Sequence, residues 1–198
     1  MRGEETQVMG ILASLPAEKN HDPLLIGLPG SHSKWVQVTD GCIVHFDTFM
    51  TGEVYAALSA HTILGRTLQH SEAFDAEAFD RGVAVAGSAD GAAGLLSTIF
   101  SCRTLGLTGE LSATAQSDYL SGLLIGHELV ALVALQQRAR EHLPPIILIG
   151  NSQLCARYSR ALAACGFAQV TVAEQATERG LWQLAVQANL LKPTLVEV

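Results

Sequence analysis

A chain of 198 residues, 48% hydrophobic and only 16% charged, carries enough apolar surface for one substantial domain or two small ones, and too little charge for disorder. Its net charge of −7 argues against a nucleic-acid partner or an anionic membrane surface, leaving room only for a local basic site. No apolar run approaches the ~18 to 20 residues that cross a bilayer, and the longest, Leu123 to Leu135, is broken by His127 and Glu128. The opening MRGEETQ is polar and acidic, unlike a secretory signal. Cys42, Cys102, Cys155 and Cys165 show no CxxC or ligand-like spacing, and the histidines make no HExxH, so no protein-held metal is expected. Free thiols of this kind fit a reducing cytoplasm.

In chain order, Gly3 followed by Glu4, Glu5, Thr6 and Gln7 reads as a helix entry, with an apolar stripe at Val8, Ile11, Leu12 and Leu15. The commoner use of Glu4 and Glu5 in such a place is to complement the helix dipole. A polar loop at 16–23 precedes a strand, Leu24 to Leu28. A turn runs from Pro29 to Lys34, then a second strand from Trp35 to Val38, an Asp40-Gly41 hairpin turn, and a third strand from Cys42 to Phe49. The first turn of this meander holds Gly30, Ser31, His32, Ser33 and Lys34. Backbone N–H groups, hydroxyls and a cation at one spot suit a phosphate; the same residues also make an ordinary surface hairpin. Thr51-Gly52-Glu53 opens a helix to about Leu64, with Thr51 as its N-cap.

Residues 66–143 read as a mainly helical insertion. One helix spans Asp75 to Ala86, with Ser71 or Asp75 near its cap, and a second spans Ala92 to Cys102, apolar at Leu95, Leu96, Ile99 and Phe100. A long helix starts at Ser112 or Thr114 and ends near Glu141; Gly122 and Gly126, four apart, allow close approach of a neighbouring element. His127 and Glu128 on it read as structural polar contacts or as functional groups. Pro144-Pro145 ends the helices, and Ile146 to Ile149 suits a buried parallel strand. Gly150-Asn151-Ser152 then leads into a helix from Gln153 to Cys165, closed by Gly166. This turn can bring a nucleotide to a helix N-terminus, or merely serve packing. A strand at Val170 to Ala173 and a helix from Glu174 to about Leu191 finish the chain.

The order is β-β-β-α, a helical insertion, then β-α-β-α. That is an α/β chain on the half-domain plan of the ribonuclease-H-like fold, found in sugar kinases, actin and heat-shock chaperones. MRGEETQ at 1–7, LPGSHSKWV at 28–36, the F-x-T-F-M-T-G-E pattern at 46–53, SGLLIG at 121–126 and ARYSRAL at 156–162 together resemble the 2-dehydro-3-deoxygalactonokinase family. The resemblance covers nearly the whole chain and is least specific at about 66–111.

The resemblance implies transfer of the γ-phosphoryl group of ATP, with Mg2+, to the 6-hydroxyl of 2-dehydro-3-deoxy-D-galactonate. It also implies a two-domain kinase whose N-terminal domain carries a D-x-G-x-T-like phosphate hairpin. No such motif stands in 1–198, so the chain resembles the C-terminal, nucleotide-side domain, with 1–15 as the interdomain helix. Within it, Glu5 is expected as the catalytic base, with Glu4 beside it. Gly30, Ser31, His32, Ser33 and Lys34 are expected as a second phosphate hairpin, Lys34 adding charge and His32 touching phosphate or the substrate carboxylate. Thr51 and Gly52 face the phosphates, and Gly150, Asn151 and Ser152 border adenine and ribose. Asp47 is a weaker candidate for holding magnesium through water; no direct metal ligand is expected. The chain alone is expected to be inactive, since the sugar is held largely by the other domain. Its uncovered interdomain face is expected to drive association, including into a homo-oligomer. The alternative is a non-catalytic domain that keeps the fold for nucleotide binding or association.

Overall fold

The computed structural model describes residues 1–16, 22–139 and 143–190. Most of the expected 16–23 loop, and the expected helix ends near Glu141 and Leu191, lie outside the described residues. Five strands form one sheet in the order β3-β2-β1-β4-β5. They are β1 (Leu24–Leu28), β2 (Ser33–Thr39), β3 (Cys42–Phe49), β4 (Ile146–Leu148) and β5 (Val170–Val172). β1 to β3 pair antiparallel, whereas β4 lies parallel to β1 and β5 parallel to β4. β1 is central and all five of its residues are buried, as its unbroken LLIGL run requires. Between β2 and β3, Asp40 (φ 51) and Gly41 (φ 68) both take positive φ, the two-residue turn that matches strand twist.

Eight α-helices and two short 3-10 turns (Leu64–Arg66 and Gly91–Ala93) carry the remaining described regular structure: α1 (Glu4–Leu12), α2 (Thr51–His61), α3 (Ala76–Gly87), α4 (Leu95–Thr98), α5 (Ser101–Leu107), α6 (Ala115–Ala139), α7 (Ser152–Ala164) and α8 (Ala176–Gln187). Strand alternation divides the core. Leu25, Trp35, Ile146 and Leu148 face Phe79 of α3, Leu129 and Leu132 of α6, and Tyr158 of α7. Ile26, Leu28, Val36 and Val38 face Val8 and Ile11 of α1 and Ala176 of α8. A third cluster joins α6 to the rest of the insertion through Tyr119, Leu123 and Cys102.

The expected role of the α6 glycines holds. A Cβ on Gly122 would lie 2.0 Å from the Phe79 carbonyl oxygen, and one on Gly82 would lie 2.3 Å from that of Tyr119. The backbones of α3 and α6 therefore meet at glycine on both sides.

Three expectations are corrected. The single helix over Ala92 to Cys102 is broken, because Gly94 takes φ 91 and separates a 3-10 turn (Gly91–Ala93) from α4 and α5. Its supposed apolar stripe is half outside: Leu96 is 92% exposed and Phe100 53%. Thr51 is not an N-cap: Met50 holds that position and makes no side-chain cap bond. Asp75, by contrast, does cap α3, accepting from the Ala78 N–H at 3.0 Å. Finally, the window Ala115–Gln136 of α6 is long and apolar enough to cross a membrane by length and composition, contrary to the run-length expectation. It is the core helix of this fold, 61% buried within the protein.

Candidate functional site

Parallel strands β1 and β4 end side by side, and the loops that follow them meet. A Cβ on Gly150 would sit 3.3 Å from the Pro29 carbonyl oxygen. The N-terminus of α2 closes on the same loop: a Cβ on Gly52 would stand 2.5 Å from the Gly30 oxygen and 2.8 Å from Ser31 Cα. Only glycine permits that approach, and the Glu53 N–H then donates to the Ser31 oxygen at 2.9 Å. The His32 ring contacts the Glu53 carboxylate across the same junction. At Gly30, nothing lies within 4 Å of where a Cβ would be, so that side of the turn is open. Such a crevice beyond the carboxyl ends of parallel strands is the usual ligand position in open α/β sheets.

A cavity of about 340 Å³ opens beside this junction. Gly30, Ser31, Thr51 and Gly52 form one side of it. Tyr55 of α2, Ser121, Leu124 and Ile125 of α6, and Leu154, Arg157 and Tyr158 of α7 form the rest. The spacing explains the last two sets: 121, 124 and 125, like 154, 157 and 158, fall on one helical face. Arg157 donates from Nη1 to Asp118 Oδ1 at 2.6 Å. The Asp118 carboxylate is buried, and its Oδ2 accepts from the Asp75 N–H at 2.8 Å. The Arg157 Cζ stands 4.4 Å from the centroid of Phe74. Behind the cavity, Glu128 accepts from Trp35 Nε1 at 2.7 Å and from the Tyr158 hydroxyl at 2.8 Å. Burial and the adjacent Glu128 push the Tyr158 hydroxyl far above the ordinary tyrosine range.

The expected site residues divide. Gly30, Ser31, Thr51 and Gly52 come together on the cavity, with His32 at its rim through Glu53. Ser33 and Lys34 are corrected: they belong to β2, not to the turn. Ser33 is 1% exposed and pairs with Phe49, so its backbone is committed to the sheet. Lys34, next along the pleat, points to the opposite face, where its Nζ lies 2.9 Å from Glu4 Oε1 of α1.

Glu4 and Glu5 line no part of this cavity. Partial burial works to raise the Glu4 pKa, yet Lys34 and the Arg2 N–H hold it down to about 2. Glu5 is lowered by its own backbone N–H and that of Gly3, 2.9 Å away. Both carboxylates thus serve the orphan N–H groups at the α1 N-terminus.

Asn151 caps α7, its Oδ1 accepting from the Gln153 and Leu154 N–H groups at 3.0 and 3.2 Å. Gly150, Asn151 and Ser152 border the junction without lining the cavity; Leu154 does line it. Asp47 bonds His45 at 3.2 Å and leaves a buried Oδ2 without a hydrogen-bond partner. Among the described residues, no group of three or more His, Cys, Asp or Glu could hold a metal ion. His127 meets Thr98 Oγ1 at 2.8 Å, and burial lowers its pKa. Sequence reasoning missed Tyr55, Asp118, Ser121 and Arg157. The i, i+3, i+4 pattern on α6 and α7 was the available signal for two of the walls.

Residues 1–184 match the family model described as 2-keto-3-deoxy-galactonokinase. The chain is 35% identical over 186 residues to the 2-dehydro-3-deoxygalactonokinase of Escherichia coli, covering 93% of this chain and 59% of that protein. It is 33% identical over 182 residues to a Rhizobium meliloti protein assigned the same activity, covering 91% of this chain and 57% of that one. The chain thus spans less than two thirds of the length of these curated relatives. A crystal structure from Sinorhizobium meliloti, assigned as a 2-dehydro-3-deoxygalactonokinase, superposes with a TM-score of 0.82 at 31% identity. It is matched over 96% of this chain and 61% of that one. The fold alone is shared with an activator of 2-hydroxyisocaproyl-CoA dehydratase from Clostridium difficile with bound ADPNP, at a TM-score of 0.51 and 11% identity, over 96% of this chain and 69% of that one. The chain belongs to the 2-keto-3-deoxy-galactonokinase family.

Proposed function

We propose that this chain is the C-terminal, nucleotide-side part of a sugar-acid kinase of the ribonuclease-H-like, sugar kinase and actin type. The complete kinase transfers the γ-phosphoryl group of ATP to the 6-hydroxyl of 2-dehydro-3-deoxy-D-galactonate, in the cytoplasm. The strand order, mixed with three antiparallel strands on one side and parallel pairing on the other, supports the fold reading. One observation carries the functional reading: the Pro29–His32 turn, the α2 N-terminus and the β4–α7 loop converge beside a cavity of about 340 Å³. Phosphoryl transfer is mainly positioning and charge neutralisation, and this junction offers free turn backbone and a helix N-terminus for the phosphates.

The residues fit a nucleotide. Gly30 leaves its side of the turn open to a close ligand, and Thr51 brings a hydroxyl to the cavity at the first turn of α2. Gly150, Asn151 and Ser152 flank the nucleoside end. Lys34 would reach the phosphates only by leaving Glu4, and Ser33 would act through its place in the strand. Any magnesium would arrive on the phosphates, where the protein supplies few or no direct ligands; Asp47, one of whose buried oxygens has no hydrogen-bond partner, is the carboxylate we assign to reach it through water. Glu5 is the acid we assign to orient the attacking hydroxyl, with Glu4 held by Lys34.

We further propose that the chain alone turns over no substrate. A non-catalytic, associating domain is the second reading, favoured by the Glu4–Lys34 pair, which ties up an acid and a cation at once. The exposed apolar residues Val44, Phe46 and Met50, by β3, are the surface we assign to association.

Calorimetric titration of ATP with magnesium is the test. Binding by the chain, weakened about tenfold in Gly52→Ala and less in Lys34→Ala, is the expected result. Absence of binding overturns the nucleotide-side reading. Turnover by the purified chain that disappears in Glu5→Gln overturns the proposal that it is inactive alone.

A further inference from the structure

Among the described residues that line the cavity, Arg157 is the only charged one. Its surroundings fix it in advance. Asp118, 4% exposed, holds one Nη, and the Phe74 ring lies against the guanidinium at 4.4 Å. Asp118 is in turn anchored by the Asp75 N–H, at the cap of α3. A guanidinium held this way loses little freedom when a ligand arrives, so its remaining N–H donors act at low entropic cost.

The same partner decides which kind of ligand fits. Asp118 offsets the positive charge at close range, so a phosphate brought to Arg157 would also meet a buried carboxylate. Around it the wall is mainly apolar, with Leu124, Ile125 and Leu154 beside the hydroxyls of Ser121 and Tyr158. A planar, uncharged ring with hydrogen-bond acceptors on its edge satisfies such a wall: its faces meet aliphatic carbon and its edge meets the guanidinium. Phosphates have their own place at the Gly30–Ser31 turn and the α2 N-terminus, on the other side of the cavity.

Resting on the nucleotide reading, we propose that Arg157 is the residue that recognises the nucleotide's base, donating to an acceptor on the ring edge. Asp118 and Phe74 are its positioning residues. The guanidinium contributes to how tightly the base is held and does not contact the phosphate chain.

The test separates base from phosphate by titrating ATP, adenosine and inorganic tripolyphosphate into the 198-residue chain. In Arg157→Met, affinity for ATP and adenosine is expected to fall about tenfold, the worth of one good buried hydrogen bond, while tripolyphosphate is unaffected. Arg157→Lys, which keeps the charge but loses the planar fork, is expected to show the same split. Asp118→Asn is expected to weaken ATP and adenosine by a smaller factor, again sparing tripolyphosphate; a fold defect alone would weaken all three. Should Arg157→Met fail to fold because Asp118 is left unpaired, Arg157→Met/Asp118→Leu removes both halves of the pair and gives the same readout. An unchanged ATP affinity, or an equal loss for tripolyphosphate, overturns the assignment of Arg157 while leaving nucleotide binding intact. A wild-type chain that binds no ATP overturns the nucleotide reading itself, and this inference with it.

Discussion

Glu128→Leu probes the wall behind the cavity. Glu128 is 3% exposed, and its two donors are as deeply placed: Trp35 is 0% exposed and Tyr158 1%. The indole N–H can only donate, so without the carboxylate it is left dry, as is the Tyr158 O–H unless it turns to the neighbouring Ser33 or Thr51 hydroxyl. Each buried donor left unpaired costs about 1–3 kcal/mol, and an added buried leucine returns roughly 1.5–3 kcal/mol. The net expectation is a loss of about 2 kcal/mol. Glu128→Gln should cost less, because the amide oxygen still accepts from Trp35 and the amide N–H can meet the tyrosine oxygen. The decisive form is a double-mutant cycle with Tyr158→Phe, read by urea unfolding. Tyr158→Phe costs about 1 kcal/mol in the wild-type background, where it removes a hydrogen bond. It costs nothing, or stabilises, in Glu128→Leu, where it removes an orphaned hydroxyl. Additive effects, within about 0.5 kcal/mol, would refute the idea that Glu128 is what satisfies Tyr158.

Two further outcomes follow from the geometry. Gly122→Ala should destabilise by about 2 kcal/mol, since its Cβ meets the Phe79 oxygen at 2.0 Å and overpacking outweighs the helix propensity gained; Gly87→Ala, with nothing within 4 Å, should be neutral or stabilising in the same urea unfolding assay. Glu4, held down to about 2 against an ordinary 4.5, contributes stability that is fully present above 4.5 and lost as pH falls toward 2. In Lys34→Met its carboxyl should titrate higher than in the wild type by NMR, with the Arg2 N–H still holding it down, and the acid-unfolding midpoint should rise.

Local chemistry explains why much of this fold was legible. Asp40-Gly41 demands its turn, LLIGL its buried centre, and Asp75 caps the helix it precedes. The failures came where distant contacts override local signals. Ala92 to Cys102 looks continuous in apolar spacing, but Gly94 at φ 91 breaks it, and no periodicity reports that angle. Lys34 read as a turn cation because it follows two serines and a histidine. Its pairing with Leu28 and Thr48 makes it a strand residue, and the pleat turns it toward α1. Arg157 and Asp118 stand 39 positions apart in sequence (157 minus 118), so their pairing was invisible until α6 and α7 were packed together.

That packing also resolves the ambiguity of α6, whose window Ala115–Gln136 is apolar enough to suit a bilayer. Its low amphipathicity has a protein cause: most sides of the helix pack against the protein, and the exposed remainder, with Val130 and Leu135, is itself apolar. Gly122 and Gly126 receive α3, Leu129 and Leu132 meet the sheet, Tyr119 and Leu123 meet the insertion, and Ser121, Leu124 and Ile125 wall the cavity. Of the two carboxylates in this stretch, Glu128 lies near the middle, where a bilayer would least tolerate it. Asp118 holds Arg157, and Glu128 joins Trp35 to Tyr158. Polar groups buried this deeply persist only when each finds its partners, and here the partners come from β2, α3 and α7. The helix is therefore the element through which the sheet, the rest of the insertion and the cavity wall are held in one arrangement, and a change on any of these packed sides should reach the candidate site.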